Sequence, residues 1–273
     1  MTRGRKLVTA VVGWPIEHSR SPQIINAAFA ASGITGEMIP VGIPPERFAA
    51  TLEWLRSIEA VGASVTIPHK VAAKAACDRS STAAEAIGAV NCLQFTGEQL
   101  IGHNTDEQGF ADSLRAAGFE TAGSTVVVLG AGGSARAIVH AVRDAAAIEV
   151  IARDPSRVAW TTAQPWTPEV LADGFSRASL VVDCTPVGLG GDGERSWVEA
   201  LPLDRLARGA WIATLVYHRT PVLLQRATSR GHSVIDGKAM LIHQGARAFT
   251  IWTGAPAPIE AMTRALDDSL RGT

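Results

Sequence analysis

Lys70 and Asp106 are the residues of this chain whose types and placement best suit the movement of a proton. Lys70 ends the run Gly62-Ala63-Ser64-Val65-Thr66-Ile67-Pro68-His69-Lys70, just past a predicted strand, and the other lysines are only Lys6, Lys74 and Lys238. Asp106 closes Gly102-His103-Asn104-Thr105-Asp106 at another predicted strand end. In open α/β sheets ligands sit at the carboxyl ends of strands, so both groups could share one crevice, the carboxylate holding the ammonium for general acid–base work. Taken alone, Lys70 reads as a solvated lysine and Asp106 as a helix N-cap, and spacing does not prove that they meet.

Two further stretches offer anion sites. His18-Ser19-Arg20-Ser21-Pro22 puts two hydroxyls at a helix start, where orphan N–H groups and the helix dipole favour a carboxylate. The plainer reading is N-capping by Ser21 with Pro22 in the first helical position, and a structural His18. The strand Thr125–Leu129 runs into Gly130-Ala131-Gly132-Gly133-Ser134-Ala135 and then a helical stretch, Ala135–Ala145. In a dinucleotide site Gly130 makes the turn, Gly132 lets the backbone approach the pyrophosphate and Ala135 is the third small position. A tight strand-to-helix turn without a ligand is the alternative. About 20 residues on, where such a site selects its cofactor, stands Ala152-Arg153-Asp154-Pro155-Ser156-Arg157. Arg153 and Arg157 suit a bidentate clamp on a 2′-phosphate, which favours NADP. Asp154 could instead face a ribose, as NAD requires, or pair with one arginine, and an ordinary surface charge cluster is the plain alternative.

The elements that must position these groups alternate along the chain. Strands are expected at Leu7–Val12, Met38–Ile43, Gly62–Ile67, Ala89–Phe95 and Leu100–His103, with helices from Ser21, over Pro45–Ile58, Lys70–Ala76 and Thr82–Ile87. A helix over Thr105–Ala117 bridges to a second series of strands, Thr125–Leu129, Glu149–Ile151, Leu180–Cys184 and Trp211–Val216, and the chain closes on helices Met240–Trp252 and Pro258–Leu270. The pattern is that of α/β layers on mainly parallel sheets. The length of 273 residues and 47% hydrophobic content support one large or two modest cores and exclude a disordered chain. With 25 basic against 26 acidic residues there is no field for nucleic acid. Cys77, Cys92 and Cys184 are scattered and odd in number, so neither a disulfide framework nor a metal site is expected. No apolar run reaches the roughly 18–20 residues of a membrane span, and the start lacks a signal-peptide pattern; the expectation is a soluble, cytoplasmic protein. Gly188–Gly193 reads as a loop flexible enough to move on binding, or as an ordinary glycine-rich surface loop.

Taken together and in order, these segments resemble the shikimate dehydrogenase family. The pattern G-x-P-I-x-H-S-x-S-P is present as Gly13–Pro22, N-V-T-x-P-x-K as Ser64–Lys70, G-A-V-N-T as Gly88–Cys92 and G-x-N-T-D-x-x-G as Gly102–Gly109. G-A-G-G-x-x-R-A is Gly130–Ala137, and Leu215-Val216-Tyr217, Gly237–Gln244 and Trp252-Thr253-Gly254 match the remaining blocks, so that the likeness runs from about residue 9 to 260. The resemblance implies a two-domain α/β protein. Residues 1–106, completed by the C-terminal helices of 238–273, would bind substrate, and 107–237 would be a Rossmann-type NADP-binding domain. It implies reversible NADPH-dependent reduction of 3-dehydroshikimate to shikimate, a step of chorismate and aromatic amino acid biosynthesis, by a monomer or homodimer. Lys70 and Asp106 match the catalytic pair. Ser19 and Ser21 match the residues that bind the substrate carboxylate, and Thr66, Asn91, Asp106, Tyr217 and Gln244 those that bind ring hydroxyls or line that site. Gly130, Ala131, Gly132, Gly133, Ser134, Arg153, Arg157, Leu215 and Gly237 match cofactor-contacting positions.

The chain departs from the family pattern in places. Ser64 replaces Asn, Cys92 replaces Thr, Ile25 stands where His is common, and Ala152 and Asp154 replace the Asn and Thr that flank the first cofactor arginine. The segment Tyr217–Pro221 is about two residues short. These departures are what an alternative would rest on: a paralogue acting on quinate or an amino-shikimate, with NAD as its cofactor. Quinate-active relatives often carry Thr at the position of Ser21, so Ser21 leans toward shikimate. A catalytically silent binding protein is opposed by the joint presence of Lys70, Asp106, Ser19 and Ser21.

Overall fold

The protein is described from a computed structural model covering residues 5–271. It divides into two compact units. One runs to Gly109 and resumes at Leu241, and the other is Phe110–Met240. Both divisions fall inside helices, Asp106–Ala117 and Lys238–Thr253.

The first unit is built on β1 (Leu7–Gly13), β2 (Gly36–Gly42), β3 (Gly62–Val65), β4 (Arg79–Ser80), β5 (Cys92–Thr96) and β6 (Gln99–His103), in the sheet order β2-β1-β3-β5-β6-β4. β1 lies parallel to β2 and β3, and β4 parallel to β6. β5 and β6 form a hairpin through Gly97 at φ 59°, which adds antiparallel pairings to β3 and between themselves. Val12, Ala63, Val65, Leu93 and Leu100 fill the core beneath Phe48, Leu52 and Leu55 of helix Phe48–Ser57. The stretch read as one helix from Pro45 opens instead with a 3-10 turn, Pro45–Arg47.

The second unit carries β7 (Thr125–Leu129), β8 (Ala147–Ala152), β9 (Ala163–Pro165), β10 (Leu180–Asp183), β11 (Trp211–Thr214) and β12 (Ser233–Ile235). All five pairings are parallel, in the order β12-β11-β10-β7-β8-β9. This is the doubly wound dinucleotide-binding order, with its switch point between β7 and β10. β7 is buried on both faces. Val127 and Leu129 pack into the layer of Phe175 and Leu171, while Val126 and Val128 pack into that of Phe110, Leu114 and Ile138. Such a strand reads as an unbroken run of Val and Leu because helices cover both of its sides. The helix expected over Ala135–Ala145 is Gly133–Ala141, since the chain turns at once into β8, which starts two residues before the expected Glu149. No helix among the described residues is long and apolar enough to cross a membrane.

Candidate active site

Topology gathers the chemistry of the first unit at one end of its sheet. β1, β3 and β6 run one way, and β5 runs against β3 and β6. Residues following β1, β3 and β6 therefore share an end with residues preceding β5. Those are Ser19 and Ser21, Thr66 and Lys70, Asp106, and Asn91. Backbone bonds tie the segments together: Trp14 N–H to Ile67 O at 2.9 Å, Val90 N–H to Lys70 O at 2.9 Å, and Asn91 N–H to His103 O at 3.1 Å.

Lys70 Nζ lies 2.6 Å from Asp106 Oδ2, and the two side chains are 10% and 6% exposed. Each residue opens a helix, Lys70–Ala76 and Asp106–Ala117. A helix N-terminus favours the Asp106 carboxylate but opposes a cation at Lys70, so capping does not explain the lysine, whereas pairing with Asp106 does. A buried ion pair returns about what its desolvation costs, so stability is a poor reason for this one.

Asn91, 3% exposed, organises the carboxylate. Its Nδ2 donates to Asp106 Oδ1 at 2.8 Å and to Thr105 Oγ1 at 2.9 Å, with Gln244 Oε1 at 3.4 Å. Its Oδ1 accepts from Thr105 N–H at 2.7 Å. Asp106 does not cap its helix. Asn104 Oδ1 takes the N–H groups of Asp106 at 3.1 Å and Glu107 at 3.4 Å, which leaves the Asp106 carboxylate for Lys70 and Asn91. Gln244 stands on helix Lys238–Thr253, which approaches closely at Gly109, where a Cβ would lie 3.0 Å from Gln244 N. Sequence reasoning missed Thr105 and the capping role of Asn104; the signal for the latter was an Asn two residues before a helix start.

Ser21 is the first residue of helix Ser21–Ala31 and its hydroxyl does not cap it. The chain enters the helix one residue earlier than the Ser-Pro pair suggests, and Ser19 Oγ accepts from Ser21 N–H at 3.3 Å instead. Among the described residues neither hydroxyl donates a hydrogen bond. Thr66 is partly buried, its N–H bound to Val12 O at 2.9 Å. His69, stacked on Phe48 with Nε2 2.9 Å from Ile43 O, is structural, and burial lowers its pKa against that hydrogen bond. Cys92 is fully buried opposite Ser64, and burial pushes its thiol far up, with the Asp106 charge adding to the rise.

In the second unit the expected cofactor residues follow the carboxyl ends of four parallel strands. Gly130 ends β7 at φ +96°, a conformation only glycine adopts easily. At Gly132, by contrast, φ is −77° and a Cβ would meet no protein atom within 4 Å. Neither strain nor packing requires glycine there, so the open space over the helix start is what a pyrophosphate would fill. Arg153 and Arg157, just past β8, are exposed and have no ion pair among the described residues; Asp154 is engaged by the Ser156 hydroxyl at 2.5 Å. Gly237, past β12, donates its N–H to Val216 O, past β11, at 2.9 Å, and a Cβ on Gly237 would fall on the Leu215 carbonyl. Tyr217, the one tyrosine, belongs to this unit, half-buried against His218.

The Gly188–Gly193 loop is fastened at its base. Arg219 donates from Nη1 to Gly188 O at 3.0 Å and from Nη2 to Glu194 Oε2 at 2.5 Å, and Val222 N–H donates to Glu194 Oε1 at 2.8 Å. Nearby Asp183, 2% exposed at the end of β10, accepts Thr185 N–H at 2.8 Å. Burial pushes its carboxyl up to about 6 despite that bond, with the Glu194 charge adding to the rise. A carboxyl raised in the folded state stabilises the fold at low pH and loses that contribution as pH climbs through about 6. Asp183→Asn keeps the acceptor for Thr185 and cannot ionise. It is expected to gain roughly 3 kcal/mol at neutral pH and to flatten the stability profile from acid to neutral pH. Thermal melts across that range would show it, and a variant no more stable than the parent at neutral pH would contradict it.

Comparison with known proteins identifies the family. A family model described as the shikimate dehydrogenase substrate binding domain matches residues 11–93, and one described as the shikimate 5'-dehydrogenase C-terminal domain matches residues 239–266. The chain is 38% identical over 279 residues to the shikimate dehydrogenase (NADP(+)) of Acidiphilium cryptum (strain JF-5), spanning 98% of this chain and 99% of that one. It is 41% identical over 281 residues to that of Geobacter sp. (strain M21), spanning 96% and 95%. The crystal structure of shikimate 5-dehydrogenase from Thermus thermophilus in complex with NADP(H) and shikimate matches with a TM-score of 0.82 at 32% identity, over 96% of this chain and 99% of that one. The chain belongs to the shikimate dehydrogenase family.

Proposed function

We propose that this member of the shikimate dehydrogenase family catalyses the reversible NADPH-dependent reduction of the 3-keto group of 3-dehydroshikimate, with Lys70 and Asp106 as the proton-relay pair. The observation that carries the reading is the buried Lys70–Asp106 contact of 2.6 Å, held by Asn91 at the sheet end that also bears Ser19 and Ser21. The first unit is the substrate domain and the second the cofactor domain.

The two serine hydroxyls, which donate to nothing among the described residues, would donate to the substrate carboxylate. Asp106, Asn91, Gln244 and Thr66 orient the ring hydroxyls. NADPH, when bound, supplies the hydride to the carbonyl carbon. As charge develops on the carbonyl oxygen, the Lys70 ammonium donates its proton there, and Asp106 holds the ammonium in line throughout. In the oxidative direction neutral Lys70 takes the hydroxyl proton. Backbone N–H groups of Gly130–Ser134 would hold the pyrophosphate, Arg153 and Arg157 the 2′-phosphate, and Leu215 and Gly237 the nicotinamide half.

Incubating the protein with shikimate and NADP+ tests the reaction. Equal amounts of 3-dehydroshikimate and reduced cofactor are expected, and reduced cofactor without 3-dehydroshikimate would refute the assignment.

A further inference from the structure

Trp160 is part of neither the glycine turn nor the arginine pair, but it follows Arg157 by three residues and its side chain reaches back to the turn. Its indole N–H donates to the Ala131 carbonyl, 3.2 Å away inside the Gly130–Ser134 turn. The Arg136 guanidinium, on the helix that leaves this turn, lies over its ring 5.5 Å from the centroid. The ring is half-buried against the core layer of Val126 and Ile138. Arg153 directly follows β8, whose end is already tied to the turn by Gly130 N–H to Ile151 O at 2.9 Å, whereas the segment beyond it, which carries Arg157, otherwise rests on local bonds. They are Arg157 N–H to Asp154 O at 3.3 Å, Val158 N–H to Pro155 O at 3.0 Å, and the Ser156–Asp154 contact. These shape a 3-10 turn, Pro155–Arg157, without fastening it to the glycine turn.

We infer that Trp160 is a positioning residue for cofactor selectivity: it fixes the segment bearing Arg153 and Arg157 against the pyrophosphate-binding turn, and so sets the span between two anion sites. The inference rests on the reading that this chain uses NADP. A nucleotide with phosphates at both ends of its ribose must satisfy both sites at once, and it gains most when their separation is already set. A nucleotide lacking the 2′-phosphate engages the turn alone and is indifferent to where the arginines stand. Trp160 thus acts through Arg153, Arg157 and Ala131, without touching the reacting atoms.

The test is calorimetric titration with adenosine 2′,5′-bisphosphate and with adenosine 5′-monophosphate, on the parent, Trp160→Phe and Trp160→Leu. Trp160→Phe keeps a ring for Arg136 and removes the N–H donor. It is expected to weaken the bisphosphate about three- to tenfold, the worth of one hydrogen bond, and to leave the monophosphate within about twofold. Trp160→Leu, which also removes the ring from Arg136, is expected to lose more on the same ligand. Thermal melts identify variants that have merely unfolded, and Trp160→Phe is the conservative arm against that outcome. Equal weakening of both nucleotides, or an unchanged bisphosphate affinity in Trp160→Phe, overturns the role of Trp160 while leaving NADP use intact. A parent that binds the two nucleotides equally overturns the NADP reading, and the role of Trp160 with it.

Discussion

Replacing Lys70 with alanine is expected to lower kcat by about 10²–10⁴-fold, the usual range for losing a positioned general acid, while KM for shikimate moves far less. The split follows from what Lys70 does. Its proton is needed only as charge builds on the reacting oxygen, so its loss falls on the transition state more than on bound substrate. Asn91, Gln244, Ser19 and Ser21 remain to bind the ring and carboxylate. The variant also strips Asp106 of its cation, and unpairing a buried charge costs about 3–5 kcal/mol. Asn91 still donates to Asp106 Oδ1 at 2.8 Å, which moderates that cost. Melting curves must therefore accompany the kinetics, and Lys70→Met, of similar length and no charge, supplies a second variant. A near-normal kcat in either would remove Lys70 from the proton path.

Gly62→Ala is the second large effect, and it acts on the fold of the site. Gly62 opens β3, and a Cβ there would run into the Trp252 indole nitrogen and lie 2.5 Å from the Leu93 carbonyl oxygen. That same Trp252 N–H donates to Leu93 O at 2.9 Å, clasping helix Lys238–Thr253 to β5. The indole could swing away only by breaking this bond, and the carbonyl is backbone in a paired strand, so neither neighbour yields cheaply. The loss combines overpacking, typically 1–3 kcal/mol, with a hydrogen bond of about 1 kcal/mol, giving about 3 kcal/mol. Because Gln244 rides on the displaced helix, KM for shikimate should rise as well. Thermal melts with shikimate kinetics check both parts, and an unshifted midpoint would mean that the helix is not held by this clasp.

How much of this was legible in the sequence depends on the range of the interaction concerned. Thr125–Leu129 was readable to the residue because a strand buried on both faces must be apolar throughout. Lys70–Ala76 and Thr82–Ile87 were bounded by local signals, and the order of the motif blocks pointed to the family. Whether Lys70 meets Asp106 was not legible, since the pairing depends on β5 and β6 folding back as a hairpin that brings β6 alongside β3's partner. Nor was the clasp of Trp252 on Leu93, 159 residues apart. β4, β9 and β12 have two or three residues each, too few for any periodicity to show. Ser21 misled because a Ser-Pro pair suits both a cap and a first turn, and the neighbouring Ser19 decides between them. Nothing in the sequence singles out Asp183 or Glu194, because only the packing around the loop after β10 buries them.

Initial rates of oxidation of shikimate and of quinate, each with NADP+ and with NAD+, test the central claim most directly. The expected result is the highest kcat/KM for shikimate with NADP+, as Ser21 and the two arginines Arg153 and Arg157, which form no ion pair among the described residues, together imply. A preference for quinate, or for NAD+, would contradict it.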